Sequence, residues 1–131
     1  MSAKRVPQRG DVYWIDPNPV AGRELRDHHR FVVVTPSEIN KLGVCMTVPV
    51  TSGGAFARLK GLTVALMGSD TTGLAVCNQV RTFDIQARVL AGSARYIETL
   101  DPATADEIVN RLVSVLEPSD YSPGKAGETP I

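Results

Sequence analysis

Short apolar segments, each bounded by turn-forming residues, recur through the first hundred positions of this 131-residue chain. Residues 11–16 alternate, which places Val12 and Trp14 on one face of a strand, and Asp-Pro-Asn-Pro from Asp16 onward is strong turn chemistry. Residues 31–35 are a continuous Phe-Val-Val-Val-Thr run, typical of a strand buried on both faces. Runs this short predict strands rather than core helices, so they restrict the chain to a mainly β fold.

The remaining segments extend this pattern, with strand composition at residues 44–50, 62–66 and 73–79. Pro49 lacks an N–H donor, which predicts the end of its strand or an edge position. Brief helical turns are predicted at 36–42 and 82–87, and residues 88–91 are a weaker strand candidate. One amphipathic helix follows, with Asp101 as N-cap, Pro102 at its first position, an end at Pro118, and a buried stripe of Ile108, Val109, Leu112, Val115 and Leu116.

These elements predict a single domain over residues 1–118. Residues 119–131 have too few apolar side chains to offset the entropy of ordering, so we expect a disordered C-terminal tail there. Several short strands followed by one packing helix are typical of a small, strongly bent β-sheet or barrel. The predicted fold is therefore mainly β, a small barrel with short helices and a C-terminal α-helix.

The net charge of zero conceals an uneven distribution, because residues 1–100 carry 12 Lys and Arg against 8 Asp and Glu, whereas residues 101–131 carry 2 against 6. Ten of the fourteen cations are arginine, whose planar guanidinium matches phosphate and carboxylate geometry. Zero net charge excludes a protein that coats nucleic acid indiscriminately. A local site for an anionic ligand remains compatible with it.

Several classes of protein are not expected from this sequence. Cys45 and Cys77 each lie in an apolar segment, where buried free thiols are expected rather than a disulfide framework. His28 and His29 are adjacent, so the chain has no paired-histidine metal motif, and we expect neither a metal nor another cofactor. No apolar run approaches the ~20 residues of a membrane helix, and the basic start leads into no signal-peptide core. We therefore expect a soluble, cytoplasmic protein.

Polar residues concentrate on three loops, at residues 22–30, 51–54 and 78–81. Arg, Ser, Thr, Asn and Gln at the ends of adjacent strands suit phosphate and base recognition. Metal-free RNA cleavage would need only a proton acceptor, a proton donor and positive charge near the phosphate. The alternative is that these are solvated loops and simple turns, with Asn78 and Gln79 satisfying backbone groups.

The sequences of several segments, and their order along the chain, resemble the MazF/PemK family of toxins from bacterial toxin–antitoxin modules. The matching segments run in family order over roughly residues 8–117, and the clearest are 9–14, 30–36, 48–54 and 78–81. The resemblance implies a small SH3-like barrel of the CcdB/PemK type, a homodimer, and sequence-selective, metal-independent cleavage of single-stranded RNA or mRNA. It also implies neutralisation by a cognate acidic antitoxin.

Carried over by position, the resemblance implies that Arg30 stabilises charge or donates a proton at the scissile phosphate, while Thr51, helped by Ser52, holds a phosphate oxygen. The general base stays open between Glu24 and a neighbouring histidine. The catalytic set is thus Arg30, Thr51 and Glu24, and the expected RNA-binding residues are Arg23, His28, His29, Ser52, Asn78, Gln79 and Arg81.

The sequence also departs from the family pattern. Phe31 stands where the family has the proline of its Arg-Pro step, and Arg23, Val76 and Asn78 replace a histidine, an arginine and an aspartate of the PemK branch. An amide accepts no proton at neutral pH, so Asn78 cannot be the base. The Asn-Gln-Val-Arg wording at 78–81 resembles the ChpB branch instead. Two alternatives to a nuclease are a non-catalytic binding protein, as in the gyrase-poisoning CcdB toxins, and a degenerate toxin that binds only its antitoxin.

Overall fold

The structure is a computed structural model, and it describes residues 5–17, 29–52 and 61–117. Within these residues there are seven strands and three helices. In chain order they are β1 (Asp11–Ile15), β2 (Arg30–Val33), α1 (Ser37–Asn40), β3 (Cys45–Thr51), β4 (Thr63–Met67), β5 (Thr72–Val76), β6 (Arg81–Phe83), α2 (Ile85–Leu90), β7 (Ala94–Thr99) and α3 (Pro102–Leu116). The predicted tail at 119–131 lies outside the described residues.

The strands form one antiparallel sheet in the order β4-β5-β3-β2-β1-β7, with β6 paired to the first half of β3. The two ends of this order approach each other, because Glu98 on β7 accepts hydrogen bonds from the turn that joins β4 to β5. The sheet is therefore strongly bent. The predicted mainly β fold with short helices and a C-terminal α-helix is confirmed.

Apolar side chains cover both faces of the central strands. On one face, Val32 and Val48 share a core cluster with Ile108 of α3. On the other face, Phe31 and Phe83 share a core cluster with Ile85 of α2. Burial on both faces of residues 31–34 agrees with the continuous β-branched run. At residues 11–16 the alternating pattern is misleading, because both faces of β1 are covered and even Asp11 is fully buried.

The Asp11 carboxylate accepts four hydrogen bonds from three residues, which the sequence pattern does not reveal. Arg5 reaches its carboxylate at 2.8 and 2.9 Å, the Gln8 backbone N–H donates at 2.9 Å, and the Thr99 hydroxyl donates at 2.7 Å. A buried carboxylate needs such partners, because an unpaired buried charge is strongly destabilising. This network ties the N-terminal segment and β7 to β1.

Residues 81–99 differ most from the sequence prediction. The strand candidate at 88–91 is wrong, because α2 extends to Leu90 after Asp84 caps its first turn by accepting a hydrogen bond from the Ala87 N–H at 3.0 Å. Strands β6 and β7 were not anticipated. β6 has three residues, and β7 is an edge strand with little burial, so neither shows the apolar pattern that predicts a strand.

Pro49 lies inside β3 and not at its end or on an edge strand. On one side of β3, Cys45–Thr47 pair with β6, whereas Val50 and Thr51 pair with β5. Pro49 lies between these two segments, where a backbone N–H would face the gap between β6 and β5. The missing donor therefore breaks no ladder hydrogen bond on that side. The strand tolerates proline where its neighbour changes.

Helix α3 agrees with its prediction at the N-terminal end. The Asp101 carboxylate accepts hydrogen bonds from the Thr104 N–H at 3.3 Å and the Thr104 hydroxyl at 2.7 Å, and Pro102 begins the helix. Ile108 and Leu112 are buried, whereas Leu116, expected on the same stripe, is 71% exposed. The buried stripe is therefore shorter than the apolar pattern indicates.

Candidate active site

One edge of the sheet collects the first residue of β2, the last residue of β3 and the start of β5. Strands β2 and β3 are antiparallel neighbours with Phe31 opposite Pro49, so Arg30 and Thr51 lie at the same edge. Leu74 pairs with Thr51, which brings the β4–β5 turn to this edge as well. Arg30, Thr51 and the turn are far apart in sequence and become neighbours only through the strand pairing.

The guanidinium of Arg30 is held by the β4–β5 turn. Its Nη1 donates to the backbone carbonyl of Asp70 and, at 2.8 Å, to the hydroxyl of Thr71, which is fully buried. Its Nη2 lies 3.8 Å from Oδ2 of Asp70, and 34% of the side chain is exposed. The cation is thus oriented by protein partners while part of it faces solvent.

Thr51 is buried and lies on the other face of the sheet from Arg30. Alternation along β2 assigns Arg30 to the face of Val32, whereas alternation along β3 assigns Thr51 to the face of Cys45. Ser52, the next residue, is exposed. A ligand that contacts both Arg30 and Thr51 must therefore lie across the edge of the sheet.

His29 and Trp14 lie beside Arg30. The two rings are 5.4 Å apart, and the Arg95 guanidinium is 5.4 Å from the Trp14 ring. Nδ1 of His29 is buried and has no hydrogen-bond partner in the part of the chain that the structure describes. The edge therefore combines an imidazole, an indole and two arginines.

The loop at 78–81 lies elsewhere along β3. β5 runs away from Thr51, so exposed Asn78 and half-buried Gln79 follow the far end of β5, and Arg81 pairs with Thr47. Thr47 is four residues from Thr51, about 13 Å along a strand. Arg81 donates to the Pro17 carbonyl at 3.1 Å. The backbone of residues 78–81 is therefore set apart from that of Arg30 and Thr51.

Three predicted site residues, Arg23, Glu24 and His28, lie outside the described residues. Sequence reasoning in turn missed Asp70, Thr71 and Glu98. The segment 68–72 was identifiable as a polar turn, but no local signal relates it to an arginine about forty positions earlier.

Neither cysteine has the character of a nucleophile. Cys45 and Cys77 are free and buried. Burial, as the main cause, raises the pKa of each thiol to about 11. A thiol with this pKa is protonated at neutral pH and therefore unreactive.

We expect neither thiol of the native protein to react with DTNB within minutes at mildly alkaline pH, because both sulfurs are inaccessible and protonated. After unfolding in guanidinium, both are expected to react at once. The absorbance of released thionitrobenzoate measures both reactions. Rapid reaction of one thiol in the native protein would contradict the burial described here.

Within residues 5–17, 29–52 and 61–117, none of the helices is long and apolar enough to span a bilayer. Three or more His, Cys, Asp or Glu side chains grouped so as to hold a metal ion are not found among the same residues.

Comparison with solved structures identifies the fold. MazF from Deinococcus radiodurans superposes with a TM-score of 0.71 at 23% identity, covering 86% of this chain and 98% of that one. A MazE–MazF complex from the same organism gives a TM-score of 0.68 at 24% identity, covering 88% of this chain and 100% of that one. At this level of identity the likeness shows a common fold.

Sequence comparison identifies the family. Endoribonuclease PemK of Escherichia coli is 35% identical over 112 residues, which are 83% of this chain and 81% of that protein. Endoribonuclease toxin ChpB of Escherichia coli is 33% identical over 120 residues, covering 89% of this chain and 100% of that protein. A family model described as PemK-like, MazF-like toxin of type II toxin–antitoxin system matches residues 8–116. The chain belongs to this PemK-like, MazF-like toxin family.

Proposed function

We propose that the protein is the toxin of a type II toxin–antitoxin system and acts as an endoribonuclease on single-stranded RNA, including mRNA. The observation that carries the proposal is Arg30, a cation oriented by Asp70 and Thr71 yet one-third exposed at the edge of the sheet. The protein also belongs to a family whose relatives are named endoribonucleases, which supports the same chemistry. Cleavage of mRNA would inhibit translation and growth in the cytoplasm.

The reaction is cleavage by the ribose 2′-hydroxyl. The 2′-oxygen attacks the adjacent phosphorus, the bond to the 5′-oxygen of the next nucleotide breaks, and that oxygen takes a proton from Arg30 or from water, so the products carry a 2′,3′-cyclic phosphate and a 5′-hydroxyl. Negative charge grows on the phosphoryl oxygens in the transition state, and a pre-oriented guanidinium stabilises it without reorganisation. Arg30 supplies that charge, and this chemistry requires no metal ion.

The other catalytic roles follow from position. A phosphate lying across the sheet edge meets Arg30 from one face and Thr51 with Ser52 from the other, so the two hydroxyls bind a phosphoryl oxygen. The 2′-hydroxyl proton goes to a general base, which is Glu24 or one of the histidines His28 and His29. His29 lies next to Arg30, and its ring is 5.4 Å from that of Trp14.

Sequence selection requires contacts to bases beyond the scissile phosphate. Single-stranded RNA is read through exposed base edges and by stacking on aromatic or guanidinium planes. Asn78, Gln79 and Arg81 are separate from Arg30 along β3, so they fit nucleotides flanking the cleaved one. Arg23, His28 and His29 belong to the segment that precedes Arg30 in the sequence.

The proposed partners are a second copy of this chain and a cognate acidic antitoxin. Solved MazE–MazF complexes support an antitoxin partner for a chain of this fold. The excess of cations in residues 1–100 favours an acidic partner that competes with RNA for the same basic surface.

The test is to incubate purified protein with single-stranded RNA in EDTA and to map the cut ends. We expect cuts at a restricted set of sequences, with cyclic phosphate and 5′-hydroxyl termini. RNA that stays intact, while the protein still binds its antitoxin, would favour a degenerate toxin. Cleavage that needs a divalent ion would contradict the mechanism.

A further inference from the structure

The turn that orients Arg30 is itself held by a carboxylate from the opposite end of the strand order. Glu98 on β7 accepts hydrogen bonds at 3.0 Å from the Ser69 N–H and hydroxyl through Oε1, and from the Asp70 N–H through Oε2. Two backbone donors and a hydroxyl thus converge on one side chain. Glu98 closes the sheet by fastening the turn to β7.

The turn has a shape that accommodates this carboxylate. A Cβ atom at Gly68 would lie 2.9 Å from both Oε1 and Oε2 of Glu98, closer than real Cβ contacts allow. The backbone N–H of Gly68 donates to the Thr71 carbonyl at 2.9 Å, which closes the turn. Glycine at 68 therefore makes room for the carboxylate against the turn backbone.

Two residues of the turn, Asp70 and Thr71, connect Glu98 to Arg30. Asp70 donates its N–H to Glu98 and accepts from Arg30 Nη1 with its carbonyl. The Thr71 hydroxyl accepts a hydrogen bond from Arg30 Nη1 at 2.8 Å, and Thr71 is fully buried. Partial burial alone would raise the pKa of Glu98, but hydrogen bonds from Thr71, Ser69 and Asp70 outweigh it and lower that pKa. The carboxylate is ionised at neutral pH and holds the turn continuously.

We infer that Glu98 is a positioning residue for catalysis, holding the β4–β5 turn so that Asp70 and Thr71 fix the guanidinium of Arg30. This inference rests on the proposed ribonuclease function of Arg30. Glu98 touches no reacting atom. Its effect is on orientation, and small misplacements of a catalytic group reduce rate steeply.

The test uses Glu98→Gln, which keeps size but replaces one acceptor oxygen with an N–H donor facing the N–H groups of the turn. We expect kcat on a cleavable single-stranded RNA to fall about 10- to 100-fold with little change in KM. Gly68→Ala, which displaces the carboxylate without altering it, is expected to act in the same direction. Glu98→Asp should recover part of the rate. Glu107→Gln on α3 removes the same charge from an exposed site and should leave kcat unchanged.

Two measurements separate positioning from loss of structure. When Arg30 is already Ala, Glu98→Gln should cause no further loss of kcat, because the oriented group is gone. Relaxation of the Arg30 Nε–Hε group by NMR should show a more mobile guanidinium in Glu98→Gln than in the wild type. An equal loss in the Arg30→Ala background, an unchanged guanidinium, or a kcat within twofold of wild type would each overturn the inference. If the wild-type protein cleaves no RNA, the proposed function fails, and the NMR comparison alone decides whether Glu98 positions Arg30.

Discussion

Replacing Arg30 with Ala is expected to lower kcat for RNA cleavage by about 100- to 1,000-fold, the usual loss when one oriented transition-state donor is removed. KM should change much less than kcat, because the charge that Arg30 stabilises grows only as the 2′-oxygen attacks. Initial rates on a defined single-stranded RNA, in EDTA and with saturating substrate, measure the effect.

Two variants make the result specific to the oriented guanidinium. Arg30→Lys keeps the charge but loses the planar fork that binds Asp70, Thr71 and a phosphate together, so it should recover only a small part of the rate. Arg111 on α3 is 35% exposed, close to the value for Arg30, and Arg111→Ala should cleave normally. Melting temperatures check that all three variants fold. Undiminished cleavage by folded Arg30→Ala would remove this residue from the mechanism.

The parts of the fold that were predictable are those whose signals are local. Residues 31–35 indicate a doubly buried strand because β-branched side chains are continuous, and β2 is buried on both faces. Helix α3 has an N-cap, a proline and a periodic stripe within one segment, so both its existence and its start could be predicted. In each case the physical cause lies within a few residues of its effect.

The missed elements depend on distant partners. β7 owes its existence to pairing with β1, about eighty positions earlier, and only one of its own six residues is buried. The helical turn predicted at 82–87 corresponds to α2, which begins later, after the Asp84 cap, and continues to Leu90 through the residues predicted as a strand. Pro49 lies within β3, contrary to the prediction, because this strand pairs with two different strands on the same side. Sequence pattern describes a strand's faces and says little about which neighbour pairs with it.

The candidate site shows the same division. Arg30 and Thr51 are predicted as catalytic residues from sequence motifs that resemble those of the family, and the structure brings them to one edge of the sheet. The groups that orient Arg30 lie about forty residues away, and Glu98 lies farther still. Hydrogen bonds across such separations follow from how the sheet bends. They could not be predicted from spacing in the sequence.

Replacing Gly73 with Ala is expected to be the most destabilising of the substitutions considered, lowering the free energy of unfolding by about 3 kcal/mol or more. Gly73 has a φ of +112°, and a Cβ there would lie 2.2 Å from the carbonyl oxygen of Thr51. The contact is with backbone, so no side-chain rotation relieves it. Strand β5 must therefore move away from β3 at Thr51, next to Ser52.

Gly92→Ala separates this clash from the cost of the backbone angle. Gly92 also has a positive φ, of +82°, but a Cβ there meets nothing within 4 Å. It should therefore cost only the left-handed conformation, about 1–2 kcal/mol. Urea denaturation of both variants measures the difference, and the melting temperature of Gly73→Ala should fall by roughly 10 °C. Equal losses in the two variants would show that β5 yields at Gly73 without strain. A larger loss at Gly73 would instead show that the close approach of β5 to Thr51 contributes to the stability of the fold. This edge of the sheet then cannot relax without loosening the main chain beside Arg30.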